Sequence, residues 1–577
     1  MKSLLQRALI ALLPAWIIVT PAKADYSPDF SLGQMPAEIA VANEAGIEPA
    51  SAYYKHGWTA DGWTLERFGS KGYVLVCPSH TAAETPQPMR SVLTLPAYDV
   101  TGDTWLRWEA SSMIARLPEA YAVEIVAEGT DMSETLIEVA AENADWTTRM
   151  ISLGKYAGKR CKVSFVCKSA NCYELMLGGI ALTEPKTPVW SGKNLTAWFG
   201  DMSGTNVKGT VTNYGAPAEV SAVVLLDADG NETDRMEIGR VIGTAEDLTY
   251  SFDGTAEKDT RTSYSVRLVL ADGSTVSVKE LAGSYFSSTF TRRHLVDKAT
   301  GFWCNNCPQG NLQLETLSRQ FGDALIPVET HVRDLIANTD YFSNLKLYAI
   351  PAFRMDRNSK GNNGFKDMAS FYDIPANHDV VFEKISLTSP DELTLRVVVK
   401  HPEGENADFK LGYVITADLK DVPEYYQSNN LTSVSAERYY FLPSTITSDL
   451  LEFKHVSITS EHAFEGLDAV SSFRSEGGMC CSTYEFTVPR PALVSDFRDA
   501  SVVAFALDNS TSTVLNAVTV RLDKDFEVSG ISDIVGDSVE ADGTVEYFTL
   551  QGIRVTNPSG GIFIRRQGSK SSKIILK

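Results

Sequence analysis

Thr300-Gly301-Phe302-Trp303-Cys304-Asn305-Asn306-Cys307-Pro308-Gln309-Gly310 is the stretch from which the fold of this chain is read. Before it, His294 to Thr300 forms a short β-like run. After Cys307, Leu314, Leu317 and Phe321 recur at three- and four-residue spacing, the period of a helix with one apolar face. The two cysteines therefore fall where a strand hands over to a helix. The unpaired N–H groups and dipole of a first helical turn favour negative charge, and so stabilise a thiolate over a thiol. Two intervening residues let one turn bring both sulfurs within bonding distance. Cys304, ahead of the helix and nearer solvent, is then the attacking thiolate, and Cys307 the resolving partner. Downstream, Leu325 to Val332 reads as a second strand. A short helix containing Phe342 and Leu345 follows, and the chain then reaches Ile350-Pro351-Ala352, where Pro351 is expected in cis.

The Trp-Cys-x-x-Cys after a β-like run, with Ile350-Pro351-Ala352 beyond it, resembles the thioredoxin superfamily. Within it, the Thr-Gly-x-Trp-Cys-x-x-Cys-Pro-x-Gly pattern from Thr300 to Gly310, with Arg357 after the proline segment, is most similar to the thioredoxin-like outer membrane protein 28-related family. The resemblance implies an α/β domain exchanging disulfides with protein substrates. Trp303 would pack against the loop and Pro351 would shape the substrate groove. One departure stands out: Lys298 lies six residues before the first cysteine, where thioredoxins keep a buried acid, with Asp297 displaced by one. A lysine near Cys304 would stabilise its anion. The spacing leaves two other readings open, half of a zinc site or an inert disulfide clip. No second cysteine pair lies at metal-ligand spacing and the nearest following histidine is His331, so neither metal nor cofactor is expected.

Met1 to Ala24 carries Lys2 and Arg7, an apolar run from Ala8 to Val19 and the small-residue site Ala22-Lys23-Ala24, the pattern of a secretory signal peptide. The apolar run is short for a membrane span, and no later segment offers about eighteen uninterrupted apolar residues. The formal charge of −21 becomes about −24 once the three cations Lys2, Arg7 and Lys23 leave. No basic stripe with interleaved aromatics appears, which argues against nucleic acid as a partner. Eight cysteines in an exported chain permit disulfides. In one strand Cys161 and Cys167 stand about 20 Å apart and cannot bridge. Cys167 and Cys172 are placed to close a hairpin, and Cys480-Cys481 is either a vicinal disulfide or two thiols on opposite faces. Mostly buried thiols are expected.

A chain of 577 residues exceeds one core, at roughly 100 to 200 residues per domain. The expected fold class is multidomain and mainly β, with jelly-roll and immunoglobulin-like β-sandwiches flanking one α/β thioredoxin-like domain and a small C-terminal β domain. Short alternating strands at high density from Tyr53 to Thr183 read as a jelly roll over 25–185. Gly57-Trp58, Thr104-Trp105-Leu106, Lys155 to Lys159 and Leu177 to Ile180 make it similar to the jelly-roll modules of bacterial surface adhesins, which implies a surface glycan or host protein as ligand. Tyr54, Trp58 and Trp63 would form a sugar platform if exposed, and core packing is their expected home. Residues 186–285, with hairpin turns at Asp229-Gly230 and Asp272-Gly273, resemble immunoglobulin-like spacers. The thioredoxin-like domain takes 286–380, and a β-sandwich takes 381–525. His401, His455 and His462 there lack ligand spacing and read as surface or structural histidines.

Residues 526–577 hold Leu550-Gln551-Gly552-Ile553-Arg554-Val555, then Pro558 to Ile564, then a lysine-rich strand ending at Lys577. Together they resemble the C-terminal sorting domain of type IX secretion substrates. That implies the type IX export machinery as a partner and a product on the outer membrane, at the cell surface or released. Two readings of function follow. One is an exported thiol–disulfide oxidoreductase working through Cys304 and Cys307, with Trp303, Pro351 and Lys298 in support. The alternative is a surface binding or adhesion protein that uses the thioredoxin fold as scaffold.

Overall fold

A computed structural model describes residues 25–50, 54, 62–81, 85–130, 132–194, 205–254, 258–358, 374–389, 391–405, 407–467 and 470–522, and four strands between 545 and 576. The signal-like segment and Trp58 lie outside the described residues. The chain is mainly β and divides into one compact unit ending at Val528 and a second beginning at Ser529. Among the described residues no helix is long and apolar enough to cross a membrane.

Period-two alternation explains the first sandwich. In Arg160–Cys167 the residues Cys161, Val163, Phe165 and Cys167 point inward, and in Trp105–Ser112 so do Leu106, Trp108 and Ala110. One sheet runs Ala40–Asn43, Ser91–Thr94, Arg160–Cys167, Tyr121–Ala127, Glu134–Val139, with Tyr98–Asp99 also paired to Arg160–Cys167. The facing sheet runs Thr64–Phe68, Gly72–Pro78, Glu174–Thr183, Trp105–Ser112, Thr147–Ser152. Both feed one apolar core centred on Trp108, Tyr121, Phe165 and Leu177. A second sandwich follows, in which Val207, Tyr250 and Phe252 of a three-stranded sheet pack on Val223, Leu225 and Leu268 of a larger one.

The next sheet has seven strands, labelled β1 to β7 in chain order: His294–Thr300, Leu325–His331, Ala352–Met355, Phe409–Leu419, Phe453–Ser457, Ala500–Asp508 and Val514–Arg521. Their spatial order is β3-β1-β2-β5-β4-β6-β7. Strands β1 and β2 are parallel and joined through helix α1, Cys307–Phe321, while β3 runs antiparallel along β1. Helix α2, Thr339–Leu345, packs on the other face: Leu295 and Ala299 share a core with Tyr341 and Leu345, whereas Val296 meets Leu314, Leu317 and Phe321 of α1.

Strand β2 pairs with β5 at Glu329 and Val456, so the sheet runs from the α/β elements straight into β4, β6 and β7. Strands from before and after residue 380 thus share one hydrogen-bonded sheet. A four-stranded sheet of Asp379–Ser389, Glu392–Pro402, Met479–Pro489 and Ser472–Glu476 covers β4 and β6 through Leu395, Val397, Leu411, Tyr413 and Val502. In the second compact unit, Val545–Phe548, Arg554–Val555, Gly561–Gln567 and Lys570–Leu576 form a four-stranded antiparallel sheet.

Candidate redox site at Cys304 and Cys307

Strand β1 is buried along its whole length and ends at Thr300, just before Gly301. The chain then winds in tight turns, with Cys304 N–H donating to Gly301 O at 3.0 Å and Cys307 N–H to Cys304 O at 3.1 Å. Helix α1 opens on Cys307, and Pro308 in its first turn suits a position whose N–H has no helical acceptor. Cys304 and Cys307 are disulfide-bonded, with Cα atoms 5.4 Å apart. The Ile350–Pro351 peptide is cis. A Cβ on Gly310 would stand 2.8 Å from Pro351 Cβ, so glycine is what lets α1 approach the proline.

A cleft of about 330 Å³ lies there, lined by Asn306, Gln309, Gln313, Pro351, Ala352, Phe353 and Leu431. Trp303 is 46% exposed, its indole donating to Val332 O at 2.8 Å. Its neighbour Phe302 is buried against His331, Tyr425, Tyr426 and Phe453, at ring distances of 4.9 to 5.7 Å.

Lys298 differs from the role expected of it. Its side chain is fully buried and its ammonium donates to Glu329 Oε2 at 2.8 Å and to Asn311 Oδ1. Parallel pairing sets Lys298 beside Glu329 in register. The charge that would lower a thiol's pKa is balanced by its own carboxylate. Asp297, one residue earlier, faces the opposite side of the sheet and accepts from the Tyr341 hydroxyl at 2.6 Å, with Arg357 Nε at 3.5 Å. Burial pushes its carboxyl up, against the pull of Arg357.

Spacing alone could not point to the segment that meets the loop from outside. Gln427, itself buried, donates through its amide to Cys304 O at 2.9 Å and Gly301 O at 3.3 Å. Ser428 N–H donates to Phe302 O at 2.7 Å and Asn430 N–H to Asn305 O at 3.2 Å. These donors come from more than 120 residues downstream, and nothing in local sequence marks them. Glu329 was within reach of sequence reasoning, since two charged residues at matching places in neighbouring strands are candidates to pair.

The other six cysteines carry free thiols, four buried and two, Cys172 and Cys480, half-buried. Burial raises the thiols of Cys77 and Cys161 and pushes Cys172 up to about 12, which keeps them protonated and poor nucleophiles at neutral pH. Among the described residues no group of three or more histidines, cysteines or acids is placed to hold a metal ion. His401 is buried, stacked 5.6 Å from His378. Trp63 and Tyr54 lie inside: the Trp63 indole donates to Ser91 O at 3.1 Å, and Tyr54 stacks on Tyr173 at 5.1 Å. Neither offers a ring face for a sugar.

No family model matches the chain, and no curated protein matches it in sequence. Parts of it are similar to solved structures. A cleaved adhesin domain of Lys-gingipain from Porphyromonas gingivalis is 19% identical, with 27% of this chain and 94% of that one covered and a TM-score of 0.22. TmCBM61 in complex with β-1,4-galactotriose is 11% identical over 27% of this chain and 94% of that one, TM-score 0.20. β-Glucuronidase 3 of Bacteroides uniformis is 8% identical over 43% of this chain and 38% of that one, TM-score 0.23.

Proposed function

We propose that this exported chain carries a thioredoxin-like thiol–disulfide exchange site in which Cys304 is the sulfur that meets the partner and Cys307 the one that resolves it. The observation behind this is the disulfide at the N-terminus of α1, with cis Pro351 packed on the same turn of helix at Gly310. A thiolate released there lies at the positive end of the helix dipole. Cys304 is 5% exposed and Cys307 fully buried, which fits the division of roles. The cleft beside Pro351 and the exposed Trp303 supply a surface for a protein chain carrying the reacting thiols. The leader and the terminal four-stranded unit support delivery to the cell surface by type IX export.

The test is Cys307→Ser in the full-length chain, mixed with periplasmic or culture-medium proteins and run on non-reducing gels. The expected result is adducts that reductant releases and that Cys304→Ser abolishes. A chain that stays unmodified refutes the assignment.

A second reading, a cell-surface binding or adhesion protein with the disulfide as a structural clip, is favoured by the covering of the loop by Gln427, Ser428 and Asn430 and by the bulk of chain in β-sandwiches. On this reading, full-length chain with both Cys304 and Cys307 replaced by serine keeps wild-type binding to glycan arrays or host proteins and forms no adducts.

A further inference from the structure

The segment Tyr425 to Leu431 crosses the redox loop from one side to the other. At one end Tyr425 and Tyr426 lie against Phe302. In the middle Gln427, Ser428 and Asn430 donate to the carbonyls of Cys304, Phe302 and Asn305. At the far end Leu431 lines the cleft beside Pro351. The segment is extended: Tyr426–Ser428 forms a two-stranded ribbon with Thr445–Thr447. Asn429 anchors it by donating to Tyr439 O at 2.7 Å and Leu442 O at 3.0 Å. The helical turn that follows is tied to α1, since Tyr439 donates to Glu315 Oε1 at 3.1 Å and Arg438 pairs with the same carboxylate.

The row of loop carbonyls is thus occupied by main-chain and amide donors of an extended piece of the chain's own backbone, and Cys304 beneath it keeps 5% of its surface. Exchange requires an incoming sulfur to approach in line with the S–S bond, and an extended polypeptide docks by main-chain hydrogen bonds of this kind.

We propose that Tyr425–Leu431 is an intramolecular cover, and that the partner is an extended polypeptide segment with two cysteines that takes its place on the carbonyls of Phe302 and Asn305. The proposal rests on the exchange reading above. With the cover displaced, a partner thiolate attacks Cys304 Sγ, forming a mixed disulfide while Cys307 leaves as a thiolate and takes up a proton. The partner's second thiolate then attacks its own bridged sulfur and releases the Cys304 thiolate. The partner ends as a disulfide and the pair as a dithiol, two electrons having passed from partner to pair; run in reverse, the same steps have the Cys304 thiolate attack a partner disulfide and Cys307 resolve the mixed disulfide.

Two measurements on the full chain test this. The first follows reduction of the Cys304–Cys307 bond by dithiothreitol and by a reduced two-cysteine peptide, using rapid alkylation and mass spectrometry. Gln427→Ala removes the amide, and Asn430→Pro removes the N–H that meets Asn305. Each is expected to speed reduction about tenfold, the effect of losing hydrogen bonds of ordinary net strength. Rates equal to wild type, in variants whose β1 and β6 amides keep their exchange protection, overturn the cover while leaving the exchange reading standing. A native chain inert to dithiothreitol in every form overturns both.

The second measurement needs no change in the cover. In Cys307→Ser trapped as a mixed disulfide with a one-cysteine form of the peptide, supplied as its mixed disulfide with thionitrobenzoate so that the Cys304 thiolate attacks the peptide sulfur and thionitrobenzoate leaves, the amides of Ser428 and Asn430 are expected to lose protection against hydrogen exchange. Protection retained in the trapped complex refutes displacement.

Discussion

Arg357→Leu tests whether the α/β elements and the strands after residue 380 stand or fall together. The guanidinium lies 3.5 Å from Asp297 Oδ2 on β1, donates to the Tyr341 hydroxyl at 3.0 Å and to Ala463 O, and sits over the rings of Phe464 and Phe505 at 4.0 and 4.6 Å. Phe505 belongs to β6, so one buried cation touches both the α/β strands and the later strands of the sheet. Removing it leaves Asp297 with only the Tyr341 hydroxyl and leaves a buried carbonyl without its donor. Breaking a buried ion pair by deleting one partner costs about 3–5 kcal/mol, and the lost cation–π contact adds about 1 kcal/mol. Leucine recovers some apolar contact, which puts the net loss near 4 kcal/mol.

Native-state hydrogen exchange read by mass spectrometry reports the opening free energy of each strand separately. Peptides from β1 and β6 are both expected to lose about 4 kcal/mol, and Arg357→Leu with Asp297→Asn to recover about half of it, because the stranded charge is then gone. A fall confined to β1, or one below about 1 kcal/mol in both, refutes the claim that the two regions share one cooperative unit. The same reasoning says that a fragment of residues 286–380 cut from the chain does not fold, because β2 would lose β5 and Arg357 its aromatic cage.

Lys298→Met strands Glu329 and Asn311 beneath α1 and is expected to cost about 3 kcal/mol in the opening of β1 and β2, whereas Lys298→Met with Glu329→Leu is expected to lie within about 1 kcal/mol of wild type; equal losses in the two would show that the pair is not what holds these strands. Glu119 is fully buried and its carboxyl is pushed by burial up to about 7, against an ordinary 4.5, despite donors from Ser169, Tyr173 and Ser79. The folded chain keeps a proton there that the unfolded chain gives up above pH 4.5, so this group's contribution is full below 4.5 and is lost as pH rises toward 7. Thermal scans of the first sandwich at pH 5 and pH 8 should show wild type losing about 3 kcal/mol more than Glu119→Gln, and parallel losses would count against the assignment.

What the sequence carried and what it did not divide along one physical line. The junction of β1 with α1 was legible because its signals are local: the period change at Gly301, Pro308 in the first helical turn, and the two-residue gap that allows Cys304 and Cys307 to bridge. The strands of the first sandwich were legible for the same reason, since alternation along Arg160–Cys167 fixes which side chains are inside. The continuity of the sheet was hidden because β2 meets β5 through a single register position, Glu329 with Val456, across more than 120 residues. Lys298 was read against Cys304 alone, although its counter-ion stands at the matching place on the neighbouring strand and the pairing of β1 with β2 was enough to suggest it. Gln427 has no signature at all: one amide among polar loop residues becomes part of the site only when the ribbon of Tyr426–Ser428 folds onto the loop.

That ribbon also decides how the two functional readings relate. In a free-standing strand–loop–helix unit the carbonyls of Phe302 and Asn305 would be turned to water, and exchange at Cys304 would depend on the loop alone. Here the carbonyls of Phe302, Cys304 and Asn305 accept hydrogen bonds from residues inserted between β4 and β5, two strands that continue the same sheet. Buried carbonyls are costly to leave without donors, so the cover cannot simply lift away; whatever displaces it must supply donors in its place. An extended polypeptide does so and small thiols do not. The cover therefore discriminates by backbone as well as by size, and the wild-type chain should react faster with the two-cysteine peptide than with dithiothreitol at equal thiolate concentration. The reverse order would mean that the loop carbonyls play no part in admitting a partner.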